Sequence, residues 1–148
     1  MEKSSKLDME QNNKDIMTEQ WQRWNPPYIT IEEQYFIDHV SLKAETVCIT
    51  VSNAADLTHL IQFTFTAITY RYTNESYRLA TISDINHVQG VIYADWTFFK
   101  VINSSYLTAL HASQDSHIHY AFITSDAIVD VISTNEPLVA CTIRNDRE

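Results

Sequence analysis

Two histidines, His117 and His119, stand two residues apart in a segment whose alternating pattern predicts a β-strand. Side chains two positions apart on a strand point to one face, so both imidazoles can reach a single metal ion. A third ligand would come from His111, Asp115 or Asp130, and no HExxH motif or cysteine pair accompanies them. A strand with solvated or hydrogen-bonded histidines explains the pair more simply, so we predict no metal site and no cofactor.

The sequence evidence for a catalytic nucleophile is equally weak. Ser104, Ser105 and Ser125 lie near acids and histidines in the sequence, but serine at a helix start or a turn usually caps the backbone. Cys48 and Cys141 occur in apolar alternating runs, where cysteine acts as a small core residue rather than as an activated thiol. The sequence therefore predicts no catalytic residue, and we expect that the chain is not an enzyme.

The chain contains one glycine, Gly90, in 148 residues. Glycine provides the positive φ angles and the close backbone approach that phosphate-binding loops require. The sequence accordingly lacks a Walker loop, a dinucleotide-binding fingerprint and the G-x-S-x-G turn of hydrolases. These absences exclude much of the common enzyme repertoire and favour a protein that works through its side-chain surface.

The charge balance is acidic, with 19 Asp and Glu against 10 Lys and Arg and a formal net charge of −9. Such a field repels nucleic-acid phosphates and attracts a basic partner, so we expect no direct nucleic-acid binding. A hydrophobic content of 45% indicates a folded chain. No apolar run is long enough to span a membrane, and the polar N-terminus does not resemble a secretory signal, so we expect a cytoplasmic protein without a membrane partner.

Helical spacing is clearest near the N-terminus. Residues 1–14 are polar, and we expect them to form a flexible segment. Apolar residues recur at helical spacing over Ile16–Trp24, with Asp15 as a candidate cap. The Pro26–Pro27 pair ends this predicted helix, because proline forces the preceding residue into an extended conformation.

Alternating apolar and polar residues predict strands from residue 35 onward. Runs at Val40–Leu42 and Val47–Val51 indicate a hairpin, for which the absence of glycine favours a loop longer than two residues. The segment Leu60–Tyr72 alternates over its whole length, but the apolar parity changes near Ala67. This change predicts one long strand that contains a β-bulge.

Four further runs predict strands at Trp96–Val101, Ile118–Thr124, Ala127–Ser133 and Leu138–Ile143. Ser104 or Ser105 can cap a short helix after the first of these strands. About six strands, an N-terminal helix and one or two short helices predict an α+β fold around a largely antiparallel sheet. No repeat or linker divides residues 15–148, which we expect to form a single domain.

Three segments carry a resemblance to a known family. They are Tyr70–Leu79 (YRYTNESYRL), Trp96–Leu110 (WTFFKVINSSYLTAL) and His119–Ser133 (HYAFITSDAIVDVIS), followed by Glu136–Pro137. Over roughly residues 60–137, this pattern of aromatic and polar positions resembles small bacterial immunity proteins of polymorphic toxin systems, including those of LXG-type toxins. Such proteins protect the producing cell from its own toxin, and the resemblance implies the same role here.

The resemblance also implies that the chain acts by occlusion. An immunity protein of this kind binds a basic toxin domain, often a nuclease, and blocks access to its active site. The charge of −9 would then mimic a polyanionic substrate and steer association. Acidic residues near loops and two tyrosines are the candidate partner contacts: Tyr72, Glu75, Tyr77, Asp84, Asp95, Asp126 and Glu136.

Two other classes of function stay open at this point. A small metal-dependent hydrolase would rely on His117 and His119, and the many aromatic side chains are compatible with a ligand-binding α+β module. An unprotected sheet edge would also allow a homodimer. An immunity role with a cognate toxin as the partner is the function that the sequence favours.

Overall fold

A computed structural model describes residues 18–30, 33–74, 96–125 and 127–144 of the chain. These residues form eight strands and one short helix, α1 (Ser105–Ala109). The strands are β1 (Gln20–Arg23), β2 (Tyr35–Lys43), β3 (Thr46–Asn53), β4 (His59–Asn74), β5 (Phe98–Ile102), β6 (Ile118–Ile123), β7 (Ala127–Ser133) and β8 (Leu138–Ile143). No helix in the described part of the chain has the length and apolar character needed to span a membrane.

The strands form one antiparallel sheet in the order β1-β5-β6-β7-β4-β3-β2, and β8 pairs separately with β4. The long strand β4 belongs to two halves of this sheet. Its first part pairs with β3 and β8, in the half that also contains β2. Its second part pairs with β7, in the half that also contains β6, β5 and β1. The pairing register shifts between Ala67 and Thr69, which confirms the predicted bulge. A bulge bends its strand, and here it lies where β4 passes from one half of the sheet to the other.

Aromatic rings fill the space between the two halves of the sheet. The ring centroid of Phe63 on β4 lies 5.0 Å from that of Phe122 and 5.5 Å from that of Phe98. Trp24, which follows β1, packs its ring 4.8 Å from Tyr120. Edge-to-face and tilted contacts of this kind contribute about 0.5–1.5 kcal/mol per pair beyond the burial of area. Most aromatic side chains of the described residues therefore belong to the core.

The prediction of an α+β fold is wrong, since the described chain is nearly all β. The predicted N-terminal helix is also wrong, because Gln20–Arg23 is strand β1 and pairs with β5. Trp21 and Trp24 are three residues apart, and their side chains lie on opposite faces of the sheet. Trp21 packs against Phe99 on one face, and Trp24 packs against Phe63 on the other.

The hairpin between β2 and β3 also departs from its prediction. Lys43 pairs with Thr46, so the loop consists of two residues, Ala44 and Glu45. Ala44 has φ 55°, a left-handed angle that glycine usually provides in such turns. Tyr28, Asn103 and His111 take similar positive φ angles at other turns, with side chains in place of glycine. Residues other than glycine thus form these turns, although a left-handed backbone conformation is energetically unfavourable for them.

The strands β6, β7 and β8 and the short helix agree with their predictions to within about one or two residues, the usual uncertainty of an element boundary. Ser104 is the cap of α1, and its Oγ accepts a hydrogen bond from the Leu107 N–H at 3.1 Å. The predicted turn at Ser125–Asp126 falls between the end of β6 at Ile123 and the start of β7 at Ala127, although Asp126 itself lies outside the described residues. These elements carry the polar side chains described next.

Candidate functional site

The face of β4, β6 and β7 that lies under α1 carries a hydrogen-bonded network of four side chains: Ser104, His119, Asp130 and Arg71. The Ser104 Oγ lies 2.6 Å from His119 Nδ1, and His119 Nε2 lies 2.6 Å from Asp130 Oδ1. The Arg71 guanidinium contacts Asp130 Oδ2 through two nitrogens, each at 3.1 Å. Ser104, His119 and Asp130 are buried, while the Arg71 side chain is 41% exposed. The network therefore connects to solvent through the arginine.

Neighbouring strands place these side chains together. Arg71 of β4 and Ala121 of β6 both pair with Asp130 of β7, and His119 lies two residues before Ala121 on the same face. The Tyr106 ring of α1 covers the Arg71 guanidinium at 4.2 Å and meets the His119 ring edge-on at 5.6 Å. The buried members of the network are thus covered in part by aromatic surface, and an unpaired charge at Asp130 would be costly.

A serine, a histidine and an aspartate in this order invite comparison with a hydrolase triad. The Ser104 side chain is 0% exposed, and its Oγ also caps α1 by accepting from the Leu107 N–H. A substrate carbonyl cannot reach a nucleophile enclosed in this way, since attack requires the reacting atoms to approach to about 3 Å. We therefore interpret the network as a structural link between α1 and the sheet.

The predicted histidine pair is not brought together as a metal site. His119 uses one ring nitrogen for Ser104 and the other for Asp130. His117 lies just before β6, is partly exposed, and its Nδ1 lies 3.0 Å from the Ser113 carbonyl oxygen. Within the described ranges, no three histidine, cysteine or acidic side chains are grouped so that they could hold a metal ion.

The Tyr120 hydroxyl is buried between the two halves of the sheet and has no hydrogen-bond partner among the described residues. Burial, together with the nearby Glu136 carboxylate, raises the pKa of Tyr120 from 10.0 to about 12. An unpaired buried hydroxyl costs about 1–3 kcal/mol of desolvation. This group is therefore a local defect in an otherwise well-packed core.

Replacing Tyr120 with phenylalanine should raise the free energy of unfolding at pH 7 by about 1 kcal/mol, because the unpaired hydroxyl is removed. The matched control is Tyr35→Phe, which should lower it by a similar amount because the Tyr35 hydroxyl accepts from the Thr30 N–H at 3.0 Å. Denaturant titration measures both free energies. Equal losses of stability in the two phenylalanine variants would contradict this account.

The pKa of Tyr120 is higher in the folded chain than in the unfolded chain, so the wild type should lose stability as the pH rises from 10 towards 12. The Tyr120→Phe variant should lose less stability over the same pH range.

The second notable region is the edge formed by β8. Within the described residues β8 pairs with β4 on one side and with no strand on the other. Its residues are exposed except for the partly buried Val139, and Leu138 and Ile143 are 77% and 80% exposed. By contrast, every residue of β7 is buried. The segment LVACTI contains no charged residue and no proline.

The other long edge strand, β2, is built differently. It carries Asp38, His39 and Lys43, and a register shift lies between Ile37 and His39. Charges and bulges are the features by which natural proteins prevent an edge strand from pairing with another chain. The edge strand β1 is only four residues long. Among the described edges, β8 is therefore the long one without such protection.

A shallow cavity of about 230 Å³ adjoins the start of β8. Its lining is mostly aromatic side chains and prolines, with one carboxylate: Trp24, Pro27, Tyr28, Glu136, Pro137, Leu138 and Val139. The Lys100 ammonium lies 3.4 Å from the Glu136 carboxylate and 5.9 Å from the Trp24 ring centroid. This cavity adjoins the exposed edge of β8, and we call the two together the β8 surface (residues 24–28 and 136–143).

The structure describes two of the seven predicted contact residues. Glu136 is exposed and lies on the β8 surface. Tyr72 is exposed on β4 opposite Val129, at the other end of β7 from the segment that leads to Glu136. The two residues are therefore not brought together. Five predicted contacts lie outside the described residues: Glu75, Tyr77, Asp84, Asp95 and Asp126.

Sequence reasoning located the strand Leu138–Ile143 but did not identify it as an edge. The one available signal is the lack of charge within this segment, which a buried central strand shares. The buried network was missed for a related reason. The sequence relates His119 to Asp130 only as possible metal ligands and indicates Ser104 only as a helix cap, whereas the pairing of β4, β6 and β7 brings His119 and Asp130 together with Arg71.

Comparisons with protein-family models, with curated proteins and with solved structures found no significant match to this chain.

Proposed function

We propose that this chain acts by binding another protein, and that it is an immunity protein that neutralises a basic bacterial toxin domain in the cytoplasm. The observation that carries this proposal is the exposed, largely apolar edge of β8, along which no second strand pairs among the residues that the structure describes. Unprotected edges and exposed apolar patches are typical of surfaces that a partner covers. The net charge of −9 favours a partner of opposite charge.

The mechanism is stoichiometric occlusion. The exposed side chains of Leu138 and Ile143 and the cavity beside Trp24 supply apolar contact area, and the negative field of the chain accelerates the encounter with a basic domain. The buried position of Ser104 and the two hydrogen bonds of His119 do not favour the hydrolase alternatives. We therefore assign the β8 surface, rather than the buried network, to function.

If the proposal is right, a toxin gene with a variable C-terminal domain should lie beside the gene for this chain, and that C-terminal domain is the binding partner to test. Coexpression should restore growth, and the purified proteins should form a complex whose affinity falls with added salt. Replacing Leu138 with lysine should weaken binding by about 30-fold or more, because a central apolar contact is lost and a charge faces a basic partner. Isothermal titration calorimetry measures the affinity.

The matched control is Leu42→Lys, at a 60% exposed leucine on the edge strand β2. It makes the same chemical change on an edge that we do not assign to binding, so the affinity should change by less than about threefold, as expected for a residue outside the interface. Continued killing in the presence of abundant, folded wild-type protein would refute the immunity role. Equal loss in both lysine variants would refute the assignment to the β8 surface.

A further inference from the structure

We propose that β8 pairs with an extended strand of the bound protein, so that the partner continues the sheet beyond Leu138–Ile143. This inference rests on the proposed function and adds the binding mode and the chemistry of the bound segment. That segment is a β-strand with apolar side chains, presented by a protein of net positive charge. Strand addition of this kind obtains affinity from main-chain hydrogen bonds and specificity from alternate side chains.

The backbone of β8 is oriented for this pairing. The Arg144 N–H donates to the Thr58 carbonyl at 2.6 Å, so these two residues form a hydrogen-bonded pair next to the end of β8. Hydrogen-bonded and non-hydrogen-bonded pairs alternate along an antiparallel ladder. Leu138, Ala140 and Thr142 are therefore bonded to β4. The N–H and C=O groups of Val139, Cys141 and Ile143 point away from β4, towards the open edge.

The opposite side of β4 supports the same assignment. The Ala67 N–H donates to the Glu45 carbonyl at 3.1 Å, so odd-numbered residues of β4 bond to β3 and even-numbered residues to β8. Val139, Cys141 and Ile143 thus present six main-chain groups along the edge, without a strand partner in the ranges that the structure describes. Donors and acceptors on three alternate residues can fix the pairing register of an incoming strand.

Side chains beside this row select an apolar strand. Val139 and Ile143 pair with Phe63 and His59, so their side chains lie on the face that carries the core. Ile143 is exposed on this face. An added strand would place alternate side chains next to Val139 and Ile143 and would bring one end of the strand close to the cavity beside Trp24 and Tyr28.

Charge favours a different protein over a second copy of this chain as the occupant. Two copies would each bring a formal charge of −9, and like charges oppose association. At the two ends of the edge, Glu136 is ion-paired with Lys100, and Arg144 with Asp38 at 2.6 Å. The charged groups next to β8 are thus locally balanced, and the overall acidic field favours a basic partner.

The decisive variant is Cys141→Pro, which removes one outward N–H and places a ring in the path of the incoming strand. Proline is tolerated at edge positions whose N–H faces solvent, so the pairing with β4 should remain. We expect binding to the neighbouring toxin domain to weaken by about 100-fold or more, as for loss of a central contact. Cys141→Ala separates loss of the side chain from loss of the N–H and should change binding by less than about threefold.

Leu42→Pro is the matched control on β2. In this strand Lys43 pairs with Thr46 beside the two-residue turn, and the ladder alternation directs the N–H of Leu42 away from β3. This variant should bind like the wild type.

If the wild type binds and Cys141→Pro binds equally well, strand addition is refuted while the immunity role stands. If the wild type does not bind, both proposals fail. A dimer of the free chain that Cys141→Pro converts to a monomer would show that a second copy is the occupant.

Amide hydrogen exchange on the wild-type complex provides a test that needs no variant, in case Cys141→Pro does not fold. The amides of Val139, Cys141 and Ile143 should be protected at least about tenfold more strongly when the toxin domain is bound, because their N–H groups gain acceptors. The amides of Ala140 and Thr142, which already bond to β4, should change less. Unchanged exchange at the three outward amides of a formed complex would overturn the inference.

Discussion

Replacing Asp130 with alanine is expected to lower the free energy of unfolding by about 3–5 kcal/mol, as found for buried charge pairs that lose one partner. The carboxylate of Asp130 is fully buried and is hydrogen-bonded to His119 at 2.6 Å and to Arg71 at 3.1 Å. Its removal leaves the buried His119 imidazole without its acceptor and removes the carboxylate that pairs with the partly exposed Arg71 guanidinium. Urea unfolding monitored by circular dichroism measures the loss.

The control for this prediction is Glu136→Ala, which removes the carboxylate of an exposed ion pair. Lys100 and Glu136 are 3.4 Å apart, and the glutamate side chain is 76% exposed, so the variant should lose less than about 1 kcal/mol. Comparable losses in the two variants would show that the Asp130 network is no more important than a surface pair. Asp130→Asn should recover part of the lost stability, because the amide oxygen can still accept a hydrogen bond from one of the two partners.

Replacing Phe122 with alanine should cost about 3–5 kcal/mol, the range for a large aromatic side chain removed from a core. Its ring is completely buried and contacts Phe63, Phe98 and Phe65 at centroid distances of 5.0, 5.4 and 6.1 Å. These rings come from both halves of the sheet, so the cavity would weaken the contact that holds the halves together. Thermal unfolding measured by differential scanning calorimetry tests this expectation.

Tyr72→Ala serves as the matched control, since Tyr72 is 58% exposed on β4. Truncating an exposed aromatic residue should change stability by less than about 1 kcal/mol. The same variant tests Tyr72 as a partner contact. Because Tyr72 lies away from the β8 surface, we expect toxin binding to remain within about threefold of wild type. A near-zero effect of Phe122→Ala on stability would contradict the proposed packing of the two halves.

Several parts of the fold follow from local sequence. The bulge in β4 is visible as a change of apolar parity near Ala67, because successive side chains of a strand alternate between faces. Ser104 is identifiable as a helix cap because its hydroxyl can replace a missing backbone acceptor at the start of α1. Both features depend on residues a few positions apart, which is the range over which composition and spacing act.

The N-terminal segment shows where local reasoning fails. Trp21 and Trp24 have a spacing compatible with a helix, but pairing with β5 makes Gln20–Arg23 a strand. The hairpin turn at Ala44 fails in the same way, since a two-residue loop became possible only because the paired strands β2 and β3 hold a left-handed alanine. Tertiary packing overrides intrinsic preference when the gain exceeds about 1 kcal/mol per residue.

The residue types alone excluded the usual phosphate-binding loop motifs, established an acidic chain and located the last strands, because these properties depend on composition and short-range periodicity. Which strand becomes an edge depends on pairing between residues far apart in the chain, and periodicity carries no information about it. Only the tertiary structure joins Ser104, His119, Asp130 and Arg71 into one network and gives β8 a strand neighbour on one side alone within the described part of the chain. The interior histidine thereby becomes structural, and an ordinary apolar strand becomes the candidate binding surface.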